Sequence, residues 1–302
     1  PLAASCGVPV TKMSGRGLGH TGGTIDKLES IPGFQTALTE ERFMEQVASV
    51  GIAIMGQTKD LAPADKLLYA LRDVTATVDQ ISLIASSIMS KKLAAGADAI
   101  LLDVKCGSGA FMKNFEDARK LSEAMIRIGK TAGKNMAAVI SDMDQPLGRA
   151  VGNALEVKEA IDTLKGEGPE DFTELVLTLG SRMLCMAERA ETPQEAQKIL
   201  KQKISDGSAL HKFTEFVMAQ GGDPSWIEHP ENFCRADFIE EIPSVKTGFV
   251  TALNTQEIGV CSLLLGGGRE TKESAVAPVV GLVLRKKKGE SVRYGEGLAV
   301  IY

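Results

Sequence analysis

A glycine-rich stretch at residues 12–29, with the sequence KMSGRGLGHTGGTIDKLE, carries groups suited to binding an anion. It contains five glycines and four side chains that can donate hydrogen bonds, those of Ser14, Arg16, Thr21 and Thr24. A β-branched apolar run precedes it and a helix-compatible segment follows it. Glycines let the backbone come close to a ligand at such a junction, and unpaired N–H groups at the helix start point to the same place. The stretch therefore predicts a phosphate-binding loop, with a purely structural turn as the alternative.

The same loop matches nucleotide-binding patterns only weakly. Gly17, Gly19 and Gly22 fit G-x-G-x-x-G, but no acidic residue ends a second strand about 20 residues further on, as dinucleotide binding requires. The Walker pattern G-x-x-x-x-G-K-[ST] is absent. His20, inside the loop, is either a general acid or a residue that caps a turn. A dehydrogenase is therefore a distant alternative.

A second set of polar residues, Arg72, Ser87 and Lys91, could bind a planar ligand. Ser87 and Lys91 are four residues apart in a segment with helical spacing, so they share one face of a helix. Arginine offers a rigid fork of donors and lysine a movable ammonium, which together suit a ring with carbonyl oxygens and an N–H. The alternative is that Arg72 pairs with Asp73 and that Lys91 is solvated.

A polar segment at 141–148 could hold a hard cation. It contains Asp142 and Asp144, and Glu159 on the next predicted helix points back toward it if that helix begins near Asn153. Backbone carbonyls and one carboxylate would bind a monovalent or divalent ion of this kind. Two solvated aspartates in a loop are the alternative.

The composition of the 302 residues, with 44 % hydrophobic and 24 % charged, is that of a soluble globular protein. A net charge of −5 gives no basic field, which argues against nucleic acid as a partner. No apolar run approaches the length of about 20 residues that spans a membrane, and no signal peptide is visible. The five cysteines include no C-x-x-C pair, which favours reduced thiols and a cytoplasmic protein.

The order of strand, glycine loop and helix repeats along the chain and predicts an α/β fold with a mostly parallel sheet flanked by helices. Ligand-binding loops are then expected at the carboxyl ends of the strands. Helices are predicted over 40–50, 62–79, 81–95, 114–132 and 153–164, the last starting from an Asn cap, with a helical block over 170–220. Strands are predicted over 52–55, 99–104 and 137–140. After residue 242, short alternating runs predict a β-rich domain in which 285–288 form a solvated hairpin tip.

Longer strings make the sequence similar to the pyrimidine-nucleoside phosphorylases of the thymidine phosphorylase family. Besides the glycine loop they are LYALRDVTATV, SSIMSKK, DVKCGSGAFMK and SDMDQPLGRAVGNALEVKEAI, and the match runs along nearly the whole chain. The resemblance implies reversible phosphorolysis of uridine, thymidine or deoxyuridine to the free base and (deoxy)ribose 1-phosphate. It also implies a potassium ion, no organic cofactor and a homodimer.

The family motifs assign roles to individual residues of this chain. The phosphate-contacting positions fall on Lys12, Met13, Ser14 and Thr24. The pyrimidine-binding positions fall on Arg72, Ser87 and Lys91, of which Arg72 and Lys91 would be catalytic because they stabilise the departing base. The potassium site falls on the backbone carbonyls of Leu147 and Ala150 and on the carboxylate of Glu159.

The family fold combines a small helical domain with a larger α/β domain. It implies an α/β phosphate-binding domain at 1–58 and 98–240, the remaining part of the helical domain at 59–97, and an incomplete β-rich domain, of α+β type, at 241–302. The family's upstream K-H-S-T-G-G loop is absent, so we expect a copy truncated at both ends, whose activity alone is open. The alternatives are a phosphoribosyltransferase of the same fold and a non-catalytic nucleoside- or phosphate-binding remnant.

Overall fold

The computed structural model describes residues 1–17, 22–56, 64, 80–269 and 275–302. The helices within them are α1 Leu2–Ser5, α2 Thr24–Leu28, α3 Glu40–Val50, α4 Ile81–Ala94, α5 Phe115–Thr131, α6 Asn153–Lys165, α7 Glu170–Met186, α8 Pro193–Ser205, α9 Ser208–Ala219, α10 Ser225–Glu228 and α11 Thr255–Ser262. The strands are β1 Val10–Ser14, β2 Ile52–Gly56, β3 Ala99–Cys106, β4 Asn135–Asp142, β5 Ala150–Val151, β6 Glu240–Pro243, β7 Gly248–Phe249, β8 Leu282–Leu284, β9 Ser291–Val292 and β10 Gly297–Ile301. A 3₁₀ turn, Pro230–Cys234, follows α10, and a π turn, Leu263–Gly267, follows α11.

Strand β1 leads directly into the glycine loop and pairs in parallel with β2, from Val10 opposite Ile52 to Ser14 opposite Gly56. Helix α3 precedes β2 and ends at Gly51, which adopts a left-handed conformation with φ of 82° at no steric cost. The apolar run of β2 is buried along its first four residues. The helix predicted over 40–50 and the strand after it are therefore confirmed.

Strands β3 and β4 form a second parallel pair that supports α4, the helix that carries Ser87 and Lys91. Ala85 and Met89 of α4 are fully buried in one apolar cluster that includes α5 and alternate residues of β3, among them Leu102. Burial of the Met89 side chain alone contributes about 1.5–3 kcal/mol, so one face of α4 is fixed by the core. The predicted strands are confirmed; β3 extends two residues further at its carboxyl end than the sequence indicated, and β4 extends two residues further at both ends.

The largest apolar cluster packs α1, α2 and α6 against the predicted helical block over 170–220, which consists of α7, α8 and α9. Ile25 of α2 and Ile161 of α6 are buried in it. The helix that follows the glycine loop is therefore seated on the main core. No helix among the described residues is long and apolar enough to cross a membrane.

The C-terminal region forms an antiparallel sheet with the strand order β5–β8–β10–β6. Its edge strand β5 comes from the segment before α6, far earlier in the chain. The region also contains α11 and the π turn, which the β-like pattern after residue 242 did not predict. A further correction concerns α6, whose N-cap is Gly152 rather than Asn153. The Asn153 side chain instead donates to the Gly267 carbonyl at 2.8 Å.

Candidate active site

The predicted phosphate-binding residues lie at both ends of the glycine loop. Lys12, Met13 and Ser14 are the last residues of β1, and Thr24 is the first residue of α2. The described part of the loop is tightly folded, since a Cβ built on Gly23 would lie only 2.1 Å from the backbone nitrogen of Gly17. A side chain larger than hydrogen therefore does not fit at position 23. His20 and Thr21 lie outside the described residues.

A buried carboxylate, that of Asp26 in the first turn of α2, holds the start of the loop. It accepts a hydrogen bond of 2.6 Å from the Gly17 N–H and ion pairs of 3.0 Å from Arg16 and 2.8 Å from Arg269. Acidic residues are common in a first helical turn, where they favour the helix dipole, so nothing in the sequence singles out Asp26. Arg269 was missed because it follows the π turn in a distant part of the chain.

Three lysines surround the end of β1. Lys12 has exposed surface, yet the surrounding protein and the charges of Lys92 and Lys27 lower its pKa. Burial, together with the neighbouring Lys91, lowers the pKa of Lys92 on α4. Lys27 forms an ion pair with Glu156 of α6. A bound anion would offset the mutual repulsion of these partly desolvated ammonium groups. The charge distribution at the end of β1 therefore favours binding of phosphate. Lys92 was not among the predicted residues.

The predicted base-binding pair is brought together on α4. The Lys91 ammonium donates to the hydroxyl of Ser87, one turn earlier, at 3.1 Å, and Ser87 is buried. The predicted shared face is therefore confirmed, while the roles of the two residues stay predictions. Arg72 and Asp73 lie outside the described residues. Because Lys92 follows Lys91 directly, α4 links the base-binding pair to the lysines of the phosphate loop.

Glu159 of α6 points back to the loop before β5, as predicted. One carboxylate oxygen accepts hydrogen bonds from the N–H groups of Arg149 at 2.9 Å and Ala150 at 3.0 Å. The other lies against Gly148, where a Cβ would be 2.1 Å away. Burial raises the pKa of Glu159; the two N–H bonds oppose this shift, and the charges of Glu156 and Asp171 reinforce it.

These groups suit a hard cation that is bound mostly by backbone oxygens. Leu147 lies in the loop before β5 and Ala150 is the first residue of that strand, and a half-buried carboxylate whose charged form is disfavoured would be stabilised by a cation. Within the described ranges, no three or more His, Cys, Asp or Glu residues form a metal site. Asp142 instead accepts from the N–H of Asp144, whose own carboxylate accepts from the N–H of Ser108 at 2.8 Å, so these aspartates stabilise turns.

The run 285–288 is not the uniformly solvated tip that the sequence predicted. Lys287 is buried, and its ammonium donates to the carbonyls of Pro146 and of Gly148, the latter at 2.6 Å. It also pairs with Asp171 at 2.9 Å. A buried ammonium is tolerated only where acceptors replace its water, and here two carbonyls and a carboxylate do so. The exposed Lys288 fits the original prediction.

Comparison of the sequence with known proteins identifies the family of the chain. The family model described as "Glycosyl transferase family, a/b domain" matches residues 1–210, and that described as "Pyrimidine nucleoside phosphorylase C-terminal domain" matches residues 249–302. The chain is 59 % identical over 302 residues to a pyrimidine-nucleoside phosphorylase of Staphylococcus aureus (strain USA300), covering 100 % of this chain and 70 % of that protein. The chain belongs to the pyrimidine-nucleoside phosphorylase family. The family predicted from the sequence motifs is confirmed.

Two further relatives bear on fold and function. The pyrimidine-nucleoside phosphorylase of Geobacillus stearothermophilus is 58 % identical over the same 302 residues and is likewise covered over 70 % of its length. A solved anthranilate phosphoribosyltransferase from Thermus thermophilus has a TM-score of 0.54 at 18 % identity, with 72 % of this chain and 70 % of that chain covered. At that identity the likeness shows the fold alone. The predicted α/β fold is confirmed, and the phosphoribosyltransferase alternative is not favoured.

Proposed function

We propose that this chain catalyses the reversible phosphorolysis of pyrimidine nucleosides, with uridine, thymidine and deoxyuridine as substrates. A phosphate oxygen attacks C1′ of the sugar, the bond from C1′ to the base nitrogen breaks, and its electron pair leaves with the pyrimidine. The products are the free base and (deoxy)ribose 1-phosphate. The observation that carries the proposal is the 59 % identity, over every residue of the chain, to a pyrimidine-nucleoside phosphorylase.

The glycine loop would bind and orient the phosphate. Lys12 and Ser14 at the end of β1 and Thr24 at the start of α2 supply an ammonium and two hydroxyls, and the Met13 backbone lies between the first two. The lowered pKa of Lys12 supports this role, since a phosphate would offset the repulsion from Lys92. Positioning the nucleophile in this way lowers the entropic part of the barrier.

Helix α4 would stabilise the base as it departs with negative charge. The hydrogen bond from Lys91 to the buried Ser87 preorganises the ammonium, so that little reorganisation is needed during the reaction. Arg72 would supply the second positive group, as the resemblance implies. Removing one preorganised donor of this type costs about 10²–10³-fold in kcat.

The loop before β5 would hold a potassium ion through the carbonyls of Leu147 and Ala150 and the carboxylate of Glu159. The ion supplies no redox or acid–base chemistry; it would neutralise the half-buried carboxylate and hold the loop in place. The observation in support is that burial raises the pKa of Glu159. We further propose a homodimer without organic cofactor, in the cytoplasm, where the five unpaired cysteines would stay reduced.

The direct test is phosphorolysis of uridine and thymidine by this chain in phosphate buffer, with base release followed in the ultraviolet. Phosphate-dependent release of uracil and thymine, with a sugar 1-phosphate as coproduct, is the expected result. Binding of base and phosphate without turnover would instead identify a non-catalytic remnant. Magnesium-dependent consumption of phosphoribosyl pyrophosphate would favour the transferase alternative.

A further inference from the structure

The loop that would bind the cation is contacted from the C-terminal region by a buried ammonium. We call residues 146–150 the carbonyl loop. The Lys287 ammonium donates to the carbonyls of Pro146 and Gly148, which are the two residues on either side of Leu147. Lys287 is only 8 % exposed. The carbonyls of the residues before and after Leu147 are therefore both bonded to one side chain that lies far away in the sequence.

Asp171 completes the environment of this ammonium. It pairs with Lys287 at 2.9 Å and accepts a hydrogen bond from the Gly148 N–H at 3.3 Å. One carboxylate thus holds both the lysine and the middle of the carbonyl loop. Asp171 thus balances the positive charge of Lys287. In the described structure, the hydrogen bonds that Glu159 accepts from the same loop come from backbone N–H groups and not from an ammonium.

A side chain of the carbonyl loop also donates hydrogen bonds to the C-terminal region, at residues 285–290. The Arg149 guanidinium donates to the Arg285 carbonyl at 2.9 Å and pairs with Glu290 at 2.7 Å. Glu290 in turn accepts from the Lys287 N–H at 3.0 Å, and the Lys288 N–H donates to the Gln145 side chain at 3.1 Å. The carbonyl loop and residues 285–290 therefore each donate from a cationic side chain to carbonyls of the other, and the two segments hold each other in place.

We propose that Lys287 is a positioning residue for the candidate potassium site: its ammonium fixes the carbonyls of Pro146 and Gly148 so that those of Leu147 and Ala150, with Glu159, can bind the ion. The inference rests on the proposed potassium site. Lys287 acts through the loop and does not touch substrate. A loop binds a monovalent cation through its carbonyl oxygens only if these oxygens are already in place. Otherwise the entropy lost in ordering the loop would offset the free energy of binding.

The test compares Lys287→Met with Lys288→Met, which removes the same charge from the exposed neighbour. Each variant and the wild-type chain are melted in potassium chloride and in choline chloride at equal ionic strength. A purely structural role would lower Tm equally in both salts. The proposal expects Lys287→Met to lose most of the potassium-specific rise in Tm, and Lys288→Met to keep it. Asp171→Asn, a milder change, is expected to raise the potassium concentration needed for half of the effect.

Hydrogen exchange supplies a readout that needs neither potassium nor activity. In choline chloride, the amides of Arg149 and Ala150, which donate to Glu159, are expected to exchange at least tenfold faster in Lys287→Met than in the wild-type chain. Unchanged exchange there would overturn the proposal. So would a larger potassium effect in Lys287→Met, since the ammonium would then compete with the ion. If the wild-type chain itself shows no potassium-specific effect, the potassium site is wrong, and with it the assignment of Lys287 to that site.

Discussion

Replacing Asp26 by asparagine should weaken both the fold and phosphate binding. The substitution keeps the size of the side chain but removes the charge and turns one acceptor into a donor, which faces either the two arginines or the Gly17 N–H. The Asp26 side chain is 5 % exposed, whereas that of Arg16 is 51 % exposed and that of Arg269 is 21 % exposed. Arg16 also pairs with Glu29 and can remain solvated, so its contribution is small.

The remaining loss can be worked out from the two other bonds. Hydrogen bonds to a buried charged group contribute about 1.5–3 kcal/mol each, and asparagine can still accept one of them, from Gly17 or from Arg269. We therefore expect the free energy of unfolding to fall by about 2–3 kcal/mol, below the 3–5 kcal/mol typical of breaking a fully buried pair. Because Gly17 is then less firmly held, KM for phosphate should rise about tenfold, equivalent to about 1.4 kcal/mol, with a smaller change in KM for uridine.

The assays are urea unfolding with and without phosphate and initial rates over a phosphate series. Asp98→Asn, which changes an exposed acidic residue before β3, is the control and should leave both quantities unchanged. A loss of less than 1 kcal/mol for Asp26→Asn, or equal increases in both KM values, would refute the conclusion that this carboxylate fixes the phosphate loop.

The other predictions concern α4 and the glycine loop. Lys91→Ala should lower kcat by about 10²–10³-fold with the fold intact, and Ser87→Ala, which removes the hydroxyl that holds Lys91, should lower it less; near-normal rates in both, followed by base release, would remove this pair from the site. Lys92→Met should raise the pKa of Lys12, because it removes a repelling charge. Loss of the Lys12 charge with rising pH should then begin at higher pH, so the alkaline decline in kcat/KM for phosphate should move upward; a downward move would contradict the electrostatics. Gly23→Ala should lower Tm and phosphate affinity because its Cβ meets the Gly17 backbone. Gly15→Ala, where a Cβ meets nothing within 4 Å, should have a normal Tm, and equal melting of the two variants would show that the close approach is unimportant.

Local features of the chain could be predicted from the sequence because their causes are local. The helix over 40–50 follows from its apolar spacing and from Gly51, which stops it. The contact of Ser87 with Lys91 follows from a separation of four residues on a helix. The direction of Glu159 follows from its position on a helix that begins just after the polar loop.

Contacts between distant segments could not be predicted in this way. Lys287 lies 141 positions from Pro146, and nothing in a run of basic residues tells which of them is buried. Arg269 reaches Asp26 from a segment with no periodic pattern that would place it beside the glycine loop. Both depend on how the C-terminal region packs on the rest of the fold, which the pattern of a single sequence does not reveal.

The strand order β5–β8–β10–β6 has a consequence for synthesis of the protein. The segment carrying Ala150 is translated long before its partner Val283, and at about 5–20 residues per second the delay is on the order of 10 s. During that interval β1, the glycine loop and α4 have already been synthesised. Strand β5 still lacks its partner β8, and the carbonyl loop lacks Lys287. A nascent chain can thus form the bonds from Gly17 and Arg16 to Asp26 early, whereas the bond from Arg269 to Asp26 and the final form of the loop proposed to bind potassium require the C-terminal region.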